Sequence, residues 1–92
     1  MYVTVRRYKN AGGLVEAMSS KSDEIKKLLT AITGFVNYFA MREGDMVTTI
    51  SIYSDKAGCD ESTLQGGQWV RDNAKPLPGA PEISSGEVFV NF

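Results

Sequence analysis

The amino-acid sequence predicts an α+β domain with the element order β-α-β-β-α-β. Three observations predict it. Apolar and polar side chains alternate with the period of a strand at Tyr2–Tyr8 and Met46–Tyr53, apolar residues recur at helical spacing from Leu14 to Ile32, and all three prolines sit together between Lys75 and Pro81, ahead of one last apolar run. A chain of 92 residues makes a single domain spanning 1–92, and a composition of 42% apolar and 23% charged residues is that of a folded rather than a disordered protein.

The first strand, Tyr2-Val3-Thr4-Val5-Arg6-Arg7-Tyr8, is rich in β-branched and aromatic residues. Asn10-Ala11-Gly12-Gly13 ends it, and Leu14, Met18, Ile25, Leu29 and Ile32 then share one face of the first helix. The weak place of that helix is Ser19-Ser20-Lys21-Ser22, where serines compete with the helical backbone for hydrogen bonds. The helix bends there, or starts late with Ser22 as the cap ahead of Asp23-Glu24. Gly34 is placed to take the left-handed conformation past the helix end, and Phe35–Arg42 follows as a strand that is apolar on both parities, with the parity facing the helices left open. Glu43-Gly44-Asp45 turns a hairpin into the third strand, Met46–Tyr53. Ser54 or Asp55 caps a second helix that runs to Asn73 in spite of Gly66-Gly67, and the proline cluster is a stiff connector to a fourth strand, Glu87–Phe92. Right-handed crossovers through the two helices put the first and last strands into one antiparallel sheet, the ferredoxin-like arrangement.

Such a sheet is covered by helices on one face only. The alternation assigns Val3, Val5, Ile50, Ile52, Val88 and Val90 to the covered face. Tyr2, Tyr8, Val47, Tyr53 and Phe89, with Phe39 or Tyr38, then form an apolar patch on the open face, which predicts a homodimer closed sheet against sheet.

Ten Lys and Arg against eleven Asp and Glu leave a net charge of −1, which gives no electrostatic excess for nucleic acid or an anionic membrane. Met46–Tyr53 lacks the basic and aromatic string with which the same element order binds RNA, and no apolar stretch reaches the roughly 20 residues of a membrane span. With one cysteine and no leader-like segment, the expected location is the cytoplasm. The absence of histidine removes Ser/His and Cys/His catalysis, no phosphate-binding glycine motif occurs, and neither a metal nor a cofactor is expected.

Five residues are candidates for binding a ligand. Trp69 could wall an aromatic ring and offer its indole N–H, against the plainer reading of a large core residue; Gly66, three residues earlier, would leave room beside it. Arg7 shares the parity of Val3 and Val5, which aims its guanidinium at the covered layer, where it meets either an anionic ligand or an acid such as Glu16. Tyr38, Asn37 and Tyr53 are polar groups on central strands that could hydrogen-bond a hydroxylated ring or take part in dimer contacts. Asp23-Glu24 and Asp60-Glu61 read as first-turn acids complementing helix dipoles, and Cys59 as a small packed residue.

The strand Tyr2–Tyr8, the Gly34-Phe35 strand start, Trp69-Val70 late in the second helix, and the Pro-Gly connector leading to Gly86-Glu87-Val88 together resemble the dimeric α/β-barrel superfamily, in particular its antibiotic-biosynthesis-monooxygenase-like branch. The resemblance covers nearly the whole chain and rests on a pattern of elements. It implies a homodimer with a small-molecule pocket between sheet and helices, and an activity of the kind that oxygenates aromatic polyketides and quinols without metal or flavin. Members that degrade haem use a helical Trp, a first-strand Asn and a His ligand; Trp69 matches the first, Arg7 stands in place of the Asn, and the chain has no histidine to ligate iron. The expected function is cofactor-free monooxygenation of a small aromatic or quinone-like molecule, and the alternative is a non-catalytic small-ligand-binding or stress-associated homodimer.

Overall fold

A computed structural model describes all 92 residues. The elements are β1 (Tyr2–Tyr8), α1 (Gly12–Ser20), α2 (Ser22–Thr30), β2 (Phe35–Glu43), β3 (Met46–Tyr53), α3 (Lys56–Asn73) and β4 (Glu82–Glu87). The four strands form one antiparallel sheet in the order β2-β3-β1-β4, so the ferredoxin-like topology read from the sequence is the one observed. No helix is long and apolar enough to cross a membrane.

The first predicted helix is two. The chain leaves helical geometry at Lys21 (φ −123°), and just before it the Ser20 hydroxyl donates to the Glu16 carbonyl at 3.0 Å, the competition expected of a serine in that place. Gly34 takes φ +87°, which lets its carbonyl accept from Ser54 N at 2.7 Å and ties the start of β2 to the end of β3. Gly44 takes φ +61° in a two-residue hairpin loop, as a type II′ turn requires. Asp55 caps α3 by accepting from Gly58 N at 3.0 Å. Asp23 and Glu24 occupy the first turn of α2 as expected, whereas Asp60 and Glu61 lie one turn inside α3 and pair along it with Lys56 and Gln65.

The sheet presents the parity opposite to the one expected. Tyr2, Thr4, Arg6 and Tyr8 of β1 stand across from Tyr53, Ser51, Thr49 and Val47 of β3 on the helix-covered face, while Val3, Val5, Ile50 and Ile52 lie half-buried on the open one. The reason is the packing surface of α3, whose buried residues near the sheet are the small Gly58, Cys59 and Ser62. A Cβ on Gly58 would come within 2.7 Å of the Tyr53 ring, and Cys59 donates its thiol to the Tyr2 and Ser51 carbonyls at 3.3 and 3.8 Å. A helix seated this close packs on Thr4, Ser51 and the edges of Tyr2 and Tyr53.

The last strand also begins earlier than predicted. Glu82 pairs with Arg7 as soon as the connector ends, and by Glu87 the pairing has reached Tyr2. Val88 N still donates to Met1 O at 2.9 Å, after which β1 offers nothing further to pair with. Val90 is therefore outside the helix-covered layer, and Phe89 and Phe92 are almost wholly exposed.

Tyr53, fully buried, donates its hydroxyl to the Leu29 carbonyl at 2.7 Å and meets Phe35 edge-on with ring centroids 5.7 Å apart. Burial, reinforced by the neighbouring Cys59, pushes its phenol from 10.0 up to about 12. A raised folded-state pKa means that the unfolded chain loses the proton first. The stability this neutral phenol carries is complete below pH 10.0 and lost between there and about 12. Urea unfolding across that range should show stability falling with pH, and Tyr53→Phe should flatten the fall while costing about 1 kcal/mol at neutral pH through the lost hydrogen bond.

Candidate functional site

A cavity of about 20 Å³, the space of a single water, lies between the covered face of the sheet and the three helices. β1 supplies Arg6 and Tyr8 to its wall, β2 Tyr38, β3 Thr49, and α3 Gly66, Trp69 and Val70, with aliphatic side chains and Met18 from α1 and α2 closing the rest. A groove of about 470 Å³ along the edge strand shares Met18, Ile25, Leu29 and Tyr38 with this cavity, so these four side chains stand between the two.

Arg6 is the chemically distinctive group. It is 3% exposed, and the chain's one ion pair, Lys56 with Asp60 at 2.8 Å, lies elsewhere on the surface. Its guanidinium is held only by neutral oxygens: Nε donates to Thr49 Oγ1 at 3.3 Å, and Nη1 to the carbonyls of Ser62 and Thr63 at 3.3 and 3.5 Å. A buried cation without a counter-ion is costly, and an anion placed beside it removes that cost. Gly66 provides the space, since a Cβ there would lie 2.8 Å from Nη1 and 3.0 Å from Nη2.

The two cavity tyrosines stay neutral. Burial raises the phenol of Tyr8, which Arg6 and Arg71 partly offset, and burial raises Tyr38 against the pull of the same Arg6. The cavity wall thus holds one fixed positive charge, two phenols and the Thr49 hydroxyl, with no carboxylate or imidazole to act as a base.

Of the expected ligand-binding residues, the structure brings Trp69 and Tyr38 together in the cavity wall and places Asn37 at the groove, with its Oδ1 accepting from Tyr38 N at 2.8 Å. Trp69 is 8% exposed and its indole donates to Glu24 Oε1 at 2.8 Å, so it fastens α3 to α2 and offers the cavity a ring rather than a free N–H. Tyr53 is not at the site, its hydroxyl being committed to Leu29. Arg7 is exposed on the open face beside Thr48, without an ion pair to Glu16 or any other acid; the inverted parity gives its expected place to Arg6. Sequence reasoning also missed Tyr8 and Thr49. The available signal was the adjacent Arg6-Arg7 pair, one of which must face inward, together with a helix glycine able to receive it.

No protein-family model and no curated protein sequence matches this chain. Solved structures match it over almost all its length. A protein of unknown function from Nitrosomonas europaea, NE2512, is 21% identical with a TM-score of 0.73, covering 99% of this chain and 91% of its own. SnoaB of Streptomyces nogalater, a cofactor-independent oxygenase, is 16% identical with a TM-score of 0.68, covering 98% and 94%. A monooxygenase from ActVA-Orf6 of Streptomyces coelicolor, solved with the ligand nanaomycin D, is 10% identical with a TM-score of 0.72, covering 99% and 89%. The fold of this chain is that of the antibiotic-biosynthesis-monooxygenase-like proteins, as the resemblance implied.

The fit of Gly66 against Arg6 can be tested by comparing neighbouring glycines. Alanine in place of a helical glycine is worth about 1 kcal/mol of stability, and Gly67→Ala should realise much of it because its Cβ meets only Arg71 Nη1, at 3.5 Å. Gly66→Ala should instead destabilise by about 1–3 kcal/mol in denaturant titration. Equal stabilisation by both would mean that the guanidinium moves aside freely.

Proposed function

We propose that this chain binds a small aromatic molecule as its phenolate or enolate in the layer between sheet and helices, and that it oxygenates that molecule without a cofactor. The observation that carries the reading is Arg6, a buried guanidinium with no acid partner, in a wall that also holds the rings of Trp69, Tyr8 and Tyr38. The likeness in fold to SnoaB and to the ActVA-Orf6 monooxygenase supports oxygenation as the chemistry to test. The cavity is too small as it stands, so binding requires the partition of Met18, Ile25, Leu29 and Tyr38 to open toward the 470 Å³ groove, a volume within the usual range of ligand pockets. Met18 is the most adaptable of the four, its unbranched thioether having several accessible rotamers.

With no base in the wall, the ligand must ionise by losing its proton to water, and Arg6 stabilises the resulting anion where solvent screening is weak. For an anthrone-like substrate the balance is complete without another reactant. The first C–H proton leaves, the carbanionic electron pair forms a C–O bond with dioxygen, the resulting peroxide takes up a proton, and loss of the second C–H proton forms the C=O bond as the O–O bond breaks and water departs. A methylene has then become a carbonyl, with one oxygen atom in product and one in water. The same lack of a base favours a second reading, a binder that holds such anions without turning them over.

The open face completes the proposal. Val3, Val5, Ile50 and Ile52 are half-buried there beside Phe39 and Met41, which are 53% and 59% exposed. A second copy covering this face would form the homodimer, through the aliphatic parity rather than the aromatic one expected. Sedimentation should find a dimer that Val5→Glu converts to a folded monomer; a monomeric native protein would remove this part of the reading.

Oxygen uptake and thermal shift with anthrones and naphthoquinols test the chemistry. The expected result is a midpoint that climbs with ligand concentration and, for a catalyst, one O₂ consumed per anthrone oxidised. Arg6→Met should fold with stability unchanged or raised by about 1–3 kcal/mol, because an unpaired buried charge is gone, and should lose both responses. Binding without oxygen consumption would establish the second reading, and undiminished binding by Arg6→Met would overturn both.

A further inference from the structure

A second groove, of about 490 Å³, opens on the other side of Arg6 between α3, the proline connector and β4. Arg6, Tyr8 and Arg71 converge on it, and no acidic residue lines it. Arg6 and Tyr8 are 3% and 4% exposed, and the Tyr8 hydroxyl has no hydrogen-bond partner within the chain. Arg71 is exposed and engages only a neutral amide, Gln68 Oε1 at 3.1 Å. Two guanidinium groups and a phenol thus offer donors to one anion in a setting with no competing carboxylate. Beyond these donors the walls are aliphatic: Leu64, Leu77 and Ile83 are 69%, 58% and 51% exposed, a concentration of apolar surface on a face that neither the helices nor the open side of the sheet covers.

We propose that this connector groove is a binding site for an amphipathic monocarboxylate, whose carboxylate is held by Arg6, Tyr8 and Arg71 and whose saturated chain lies against Leu64, Leu77 and Ile83. The planar carboxylate matches the fork geometry of guanidinium, and the aliphatic walls select a chain over a ring. The site goes beyond the aromatic reading above and shares only Arg6, Tyr8 and Val70 with it.

The test uses decanoate as probe, with decanol and decyltrimethylammonium as controls of equal chain length, in calorimetric titrations of the full chain at fixed ionic strength. Decanoate should bind at least about tenfold more tightly than either control. Arg71→Gln should weaken it by about tenfold and remove the preference over decanol, and Leu64→Glu should weaken it at least as much by placing a like charge in the groove. Both substituted side chains are outside the aromatic cavity and on the exposed side of α3, so both variants should keep the native response to anthrones. Decanol binding as tightly as decanoate, no binding of decanoate, or unchanged binding by Arg71→Gln would each overturn the proposal. Because anthrone binding is measured on the same proteins, failure of the aromatic reading leaves this result standing, and the reverse.

Discussion

Helix α3 lies against β1 and β3 so closely that two of its glycines touch sheet side chains. Gly58 accommodates the Tyr53 ring and Gly66 accommodates the Arg6 guanidinium, each at a separation that a β-carbon would violate. Most of the remaining architecture depends on this close seat. It meets the parity of both strands that carries Thr, Ser, Tyr and Arg, puts Thr4, Ser51 and Ser62 in the interior, and leaves Val3, Val5, Ile50 and Ile52 on the outward face. It also leaves one buried serine hydroxyl, that of Ser51, without a partner, a cost borne where the packing is tightest.

The same constraint organises the electrostatics. Arg6 enters the interior because its strand position alternates with Val5 and Arg7, and it stays charged among carbonyl and hydroxyl oxygens that orient it without neutralising it. Such a group contributes little to stability and is a poor choice for a core whose only task is to fold. Its surroundings divide into an aromatic cavity on one side and an aliphatic groove on the other, so one guanidinium confronts two kinds of surface. Trp69 closes the aromatic side in a way that composition alone does not suggest, fixing α3 to α2 through Glu24 while presenting its ring inward.

The outward parity has its own consequence. The centre of the open sheet face carries Val3, Val5, Ile50 and Ile52, continued by Phe39 and Met41 on the edge strand, with Arg7 and Thr48 toward one end. Helices covering one face and the proposed second copy covering the other would together bury both parities.

The element order, the strand hairpin, the weak place at Ser19–Ser22, a cap at Ser54 or Asp55 and the left-handed Gly34 were legible in the sequence because each is set by neighbours a few residues apart. The end of the last strand was not, because it is decided by where β1 offers partners far away along the chain, from Arg7 with Glu82 to Tyr2 with Glu87. Nor was the facing of the sheet. Alternation determines that Arg6 and Arg7 point to opposite sides, but which side meets the helices is a property of the surface α3 brings to it, and glycine, cysteine and serine at 58, 59 and 62 give a helix no strong apolar stripe to read. The presence of an inward arginine was therefore written in the sequence; that it is Arg6, unpaired and backed by Gly66, was settled only when helix and sheet came into contact.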